Sequence, residues 1–114
     1  MTPQDIIAEL DAALAEVGQD VVLRRYLGPG VTNPVDVTCR ARITDYTTQT
    51  LAGNIAQGDR RAIISPTEAT AASWPLPVRV GDKLVINGRE FNIEGRNSFA
   101  PQNVVVRIEL QVRG

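Results

Sequence analysis

Asp59, Asp82, Glu90 and Glu94 are the carboxylates from which an acid–base pair could be built, since two facing carboxyl groups suffice for hydrolytic chemistry. No two of them stand at a spacing that sets both against one substrate, and they read as solvated strand ends and turn residues. Cys39 could serve as a thiol nucleophile, but that needs a base to ionise it, and the 114 residues include no histidine. The same absence removes the usual nucleophilic triads and most transition-metal sites. Asp45, Asp59 and Asp82 do not form a calcium loop, because the spaced series of oxygen ligands closing on a glutamate is missing. Gly28-Pro29-Gly30 precedes a strand and lacks the lysine and hydroxyl residue of a phosphate loop, so it is a turn. The expectation is a protein that is not an enzyme and uses no metal or cofactor.

Arginine is the other chemistry-bearing type. Lys83 is the only lysine among 12 basic residues, which oppose 13 acidic ones for a formal charge of −1. That balance argues against a general nucleic-acid binder, whose affinity comes largely from neutralised phosphates. Aromatic residues are 4% of the chain, too few for a base-stacking platform. Arg24-Arg25 and Arg60-Arg61 are adjacent pairs, and neighbours on a strand point to opposite faces. Each pair thus puts only one arginine on a given surface, and Arg24, Arg25, Arg60 and Arg61 read as lying on solvated faces or in subunit salt bridges, with nucleic acid as the alternative; Arg40, Arg42, Arg60 and Arg61 are candidates for a charged interface.

These residues are positioned by a mainly β chain. Thr2, Pro3 and Asp5 are suited to the cap, first position and first turn of a helix running to Val17, with Gly18 as its stop. Ile6, Leu10, Ala13, Leu14 and Val17 form its apolar stripe. The period then changes to two, through Val21, Leu23 and Leu27. Val37, Cys39, Ala41 and Ile43 alternate with Asp36, Thr38, Arg40, Arg42 and Thr44. Asp59 to Ser65 reads as a short strand and Pro66 to Ser73 as a turn or short helical piece. Trp74-Pro75-Leu76-Pro77 is a stiff connection, because proline lacks a ladder donor. Asn87-Gly88 between Leu84-Val85-Ile86 and Phe91-Asn92-Ile93 predicts a two-residue hairpin that puts Leu84, Ile86, Phe91 and Ile93 on one side. A loop containing Pro101 leads to a last strand from Val104 to Val112.

The sum is one domain over residues 1–114: an N-terminal helix in 1–18, then a small antiparallel β-barrel or sandwich of about six strands in 19–114. No run approaches the length of about 18 apolar residues that spans a bilayer, and the N-terminus lacks the pattern of a signal peptide. With one cysteine, no internal disulfide forms, and cytoplasmic folding fits. The stretch from Tyr46 to Gly58 fits neither period and reads as a long loop, where compact domains usually use about 4–6 residues. Within it Thr47, Gln49, Leu51, Asn54, Ile55 and Gln57 are candidates for contact with a neighbouring subunit or partner.

Four segments together resemble the small head-tail connector proteins of tailed bacteriophages and prophages, most closely the head-closure, or stopper, type. They are Gln57 to Ser65, Trp74 to Pro77, Gly81 to Arg89, and the ending Val105 to Gly114. The likeness spans about Val21 to Gly114 and lies in their order and spacing. It implies a homo-oligomeric ring in the virion neck, assembled in the host cytoplasm and docked below the portal or adaptor ring. Such a ring retains packaged DNA, touches it in the channel, and gives tail proteins a platform. A tail-completion or tail-terminator protein of the same module, and a nucleic-acid-binding small β-barrel, are the alternative readings.

Replacing Leu51 to Gln57 with a short Gly-Ser linker tests the loop assignment. The variant keeps its circular dichroism spectrum and loses DNA retention and tail joining in assembled particles; normal particles would make the loop a mere connection.

Overall fold

Thr2 and Asp5 open the fold with a reciprocal cap: Thr2 Oγ1 accepts from the Asp5 amide at 3.2 Å, and Asp5 Oδ2 accepts from the Thr2 amide at 2.9 Å. The Thr2 amide, and then its hydroxyl, hold the Asp5 carboxyl below its ordinary range. Pro3 at the first position completes the start of α1 (Pro3–Val17). The computed structural model describes residues 2–26, 34–45, 59–74, 76–100 and 104–114.

The inward face of α1 is rotated from the expected stripe. Leu14 is buried and Ile6, Ile7, Leu10 and Asp11 are half-buried, whereas Ala13 is exposed and Val17 is 60% exposed. The helix settles against a barrel wall on one side and a second helix at its flank, where Thr67 donates to Asp11 at 2.8 Å. Gly18 ends α1 in an extended conformation, so left-handed freedom is not what makes it glycine. A Cβ there would lie 2.5 Å from the Leu14 carbonyl oxygen and 3.0 Å from that of Ala41, so the close approach of helix and strand requires it.

Six strands follow: β1 (Gln19–Arg25), β2 (Val35–Asp45), β3 (Arg60–Ile64), β4 (Lys83–Ile86), β5 (Arg89–Phe99) and β6 (Arg107–Arg113). They close into an antiparallel barrel in the order β1-β2-β3-β6-β5-β4, and β4 pairs back onto β1. Alternation sets the register, because a one-residue slip would turn every apolar side chain outward. Val21 lies opposite Cys39 and Leu23 opposite Val37, all four facing in. The hairpin pairs Ile86 with Arg89, Val85 with Glu90 and Leu84 with Phe91, as the Asn87-Gly88 turn predicts. Asn87 and Gly88 both have positive φ, the geometry that turn needs. Leu23, Ile64, Leu84, Ile93 and Leu110 are each under 2% exposed, so the interior is filled by side chains.

Residues 65–82 carry the chain from β3 to β4 and plug the barrel end opposite the hairpin. Their short helix α2 (Thr67–Ala71) covers the part of β2 that β3 does not reach: Glu68 Oε2 accepts from the Arg40 amide at 2.8 Å, taking the place of a strand carbonyl. Ala69, Trp74 and Val78 join the main core, and Trp74 Nε1 donates to the Val35 carbonyl at 3.1 Å. The Trp74 segment is thus a core plug as well as a connection; its Leu76–Pro77 peptide is cis. The last strand begins at Arg107 and not at Val104. Val104 is exposed, while Val106 is buried and donates its amide to the Phe99 carbonyl.

Cys39 lies inside this barrel at 3% exposure, and burial, with Glu68 and Asp20 adding to it, pushes its thiol up to about 12. The folded state favours the neutral thiol, so this contribution to stability is intact below the ordinary value of 9.0 and is lost as pH rises toward 12. A maleimide should label Cys39 only after denaturation; rapid labelling of the native protein at neutral pH would contradict the facing of β2.

Candidate functional site

The acidic residues offered above for catalysis resolve into two groups. Asp59 and Asp82 are 3% and 6% exposed, a correction to their reading as solvated ends. Arg25, at the third inward position of β1, donates from Nε to Asp82 Oδ1 at 3.0 Å and from Nη2 to Asp82 Oδ2 at 2.8 Å. Its Nη2 also reaches the Pro77 carbonyl at 2.9 Å, and the guanidinium lies 4.5 Å from the centroid of Trp74. This buried pair corrects the solvated or intersubunit reading for Arg25. Asp59 accepts from Gln111 Nε2 at 2.8 Å and from Arg113 Nε and Nη2 at 2.8 and 2.9 Å, and this bonding raises the Arg113 guanidinium above its ordinary value. Both carboxylates are committed to holding strands together.

Glu90 is exposed near the start of β5, as expected, whereas Glu94 is half-buried in the middle of that strand and lies 3.6 Å from Arg113, a correction to its reading as a solvated end. The Tyr26 hydroxyl donates to Glu90 at 2.6 Å and holds that carboxyl below its ordinary range, with help from Arg24, while its own phenol is pushed up. Arg24 also binds Asp36 in a two-point contact at 2.9 and 3.1 Å, so one polar band crosses the outer wall from β2 to β5. Among the described residues, no three His, Cys, Asp or Glu side chains cluster to hold a metal.

The four candidate interface arginines are not brought together. Arg40, called an interface residue above, is turned onto its own helix: it donates to the carbonyls of Leu14 at 3.1 Å, Ala15 at 3.2 Å and Gly18 at 2.7 Å, and to Asp20 at 3.2 Å. The last turn of α1 has no basic residue, and Arg40 supplies that charge from β2. Arg42 is exposed on the outer wall. Arg60 lies at the hairpin end, 5.9 Å from the Phe91 ring centroid, with Arg89 at 5.0 Å. Arg61 donates to Thr44 at 3.3 Å and comes within 3.9 Å of Glu109. Thr47, Gln49, Leu51, Asn54, Ile55 and Gln57 lie outside the described residues.

Arg61 acquires partners that the sequence reading missed. With Arg96, Asn97 and Glu109 it lines a cleft of about 340 Å³ on the outer wall of β3, β6 and β5. Residues 94–99 carry no alternating apolar pattern, and β6 imposes their pairing. A bulge between Ile93 and Gly95 shifts the register there. Gly95 lets Gln111 lie close, its Oε1 only 3.1 Å from where a Cβ would stand. A larger, mainly apolar cleft of about 590 Å³ lies between α1 and α2, bordered by Ile7, Ala71, Leu76 and Val105. No helix is long and apolar enough to cross a membrane among the described residues. No protein-family model matches the chain, and no curated protein matches it.

The role of Arg40 is testable. Arg40→Ala removes one charge and three helix-end hydrogen bonds, and should lower stability by about 1–2 kcal/mol in urea unfolding, with some loss of helical circular dichroism. Unchanged stability would show that the capping contacts are idle.

Proposed function

We propose that this chain is a structural protein of the virion neck of a tailed bacteriophage or prophage, of the head-closure type. Copies form a ring below the portal or adaptor, hold the packaged DNA in the capsid and present a platform to the tail. The observation that carries this reading is the filled, closed six-strand barrel with a helix at its N-terminus. Its strand order accommodates the segments whose sequence order resembles the head-closure family. Because the interior is packed, the working surfaces are the outer wall, the helix and the connections at the two ends. β2 ends at Asp45 and the described residues resume at Asp59, both beside the hairpin end.

The buried arginine–carboxylate pairs support the same reading. Arg25–Asp82 is buried on both sides and Asp59 lies buried beneath a partly exposed Arg113, so the two pairs stiffen each subunit from within.

The test is genetic and structural together. Particles assembled without this protein should package DNA, lose it, and lack tails, and supplying the protein in trans should restore both properties. Tailed, DNA-retaining particles formed in its absence would overturn the assignment.

A further inference from the structure

β5 outruns both of its neighbours. Of its 11 residues, β4 pairs with Arg89 to Asn92 and β6 with Asn92 to Phe99. On the β4 side the pairing runs one residue further, where Ile93 bonds through its backbone to Gly81 and Asp82 at 3.1 and 3.0 Å. Past the bulge, Gly95 to Phe99 have β6 on one edge and, among the described residues, no strand on the other. Such a stretch of extended chain is roughly 16 Å long, and its open edge presents N–H and C=O groups that no ladder takes up.

The register fixes what stands along that edge. Arg96 lies opposite Leu110 and Ser98 opposite Ile108, and cross-strand partners share a face, so both follow the inward direction of the barrel. Asn97, opposite Glu109, and Phe99, opposite Arg107, look outward. Arg96 and Ser98 are nonetheless exposed, because β4 and the turn before it reach only to Ile93. Ser98 is one bank of a cleft of about 270 Å³ whose other residues are Leu76, Pro77, Val78, Val105 and Ile108. The open edge therefore borders an apolar slot. Arg96 has no side-chain partner among the described residues. The neighbouring carboxylates are taken: Glu94 by Arg113, Glu109 by Arg107, and Asp82 by Arg25.

We infer that the Gly95–Phe99 edge of β5 takes an extended segment of a partner protein as an added strand, with an acidic side chain opposite Arg96 and an apolar one opposite Ser98. The open backbone groups call for an extended chain, and the cleft takes an apolar side chain on the inward face. The unanswered guanidinium selects a carboxylate two residues away, on that same face. A second copy of this chain offers the wrong chemistry through the same edge. Its Gly95 to Phe99 contain no carboxylate, and edge-to-edge pairing would set two Arg96 side chains on one face. Arg96 thus opposes self-pairing while it recognises an acidic strand. This surface goes beyond the neck reading and does not rest on it.

Fluorescence anisotropy of a labelled peptide, Thr-Glu-Thr-Leu-Thr-Glu-Thr, titrated with the full chain tests this. The peptide sets a carboxylate two residues from the leucine whichever way it pairs. It should bind saturably, and its lysine-for-glutamate analogue should not. Methylating the backbone nitrogens of the leucine and glutamates, or instead those of the threonines, should abolish binding in one case and spare it in the other, because alternate residues turn their amides to the edge. Arg96→Glu, with its fold checked by circular dichroism, should weaken the glutamate peptide by about tenfold or more and favour the lysine one. Three results overturn the assignment: no saturable binding at millimolar protein, equal binding of the two methylated peptides, or a glutamate peptide indifferent to Arg96→Glu. Single-stranded DNA that displaces the peptide and itself depends on Arg96 would give the face to nucleic acid, and overturns it too. The particle test of the neck reading stands apart from each of these results.

Discussion

A buried guanidinium closes the barrel. Arg25 sits where the alternation of β1 calls for an apolar side chain, and the cost of desolvating it is offset only because every side of the group is answered. Asp82 takes it in a two-point ion pair, Pro77 accepts a further hydrogen bond, and Trp74 covers its face. Asp82 in turn accepts the Arg79 amide at 2.8 Å, and its backbone carbonyl accepts from Ile93. One charge therefore ties β1, the plug and the turn into β4 to β5, at the β1–β4 seam that closes the barrel. Removing one partner of such a pair typically costs about 3–5 kcal/mol, a large share of a small domain's stability.

The same economy recurs at the other end, where Asp59 gathers Gln111 and Arg113, and on the outside, where Arg40 pins the end of α1. Arginine does structural work three times over because its planar fork meets a carboxylate or several carbonyls at once. What remains for partners among the described residues is then a short set of surfaces: the acidic helix face, the outer wall around Arg61, the apolar cleft beside Leu76, and the hairpin end. A ring of such subunits would rely on repeated modest contacts, which suits a part that assembles on a larger particle.

Much of this was legible from residue order. The capping pair at Thr2 and Asp5, the inward set Val37, Cys39 and Ala41, and the Asn87-Gly88 register follow from local rules that tertiary packing reinforces. The misses have a common cause. Arg25, Asp59 and Asp82 are polar residues whose burial depends on partners 52 to 57 positions away, and no local pattern encodes that separation. Likewise, the helix face turned toward Ile7 and Asp11 because α2 stands at its flank, and Arg61 meets Glu109 only through the pairing of β3 with β6. The function-bearing loop candidates, Thr47 to Gln57, are read from composition and length alone.

The most direct measurement of the central claim is an electron cryomicroscopy reconstruction of the neck of the particle that encodes this chain. The account predicts a ring of six-stranded barrels below the portal or adaptor, each traced by this sequence, with Trp74 buried against Arg25. A neck in which the density at that level belongs to other chains, or a mature particle that does not contain this protein, would contradict it.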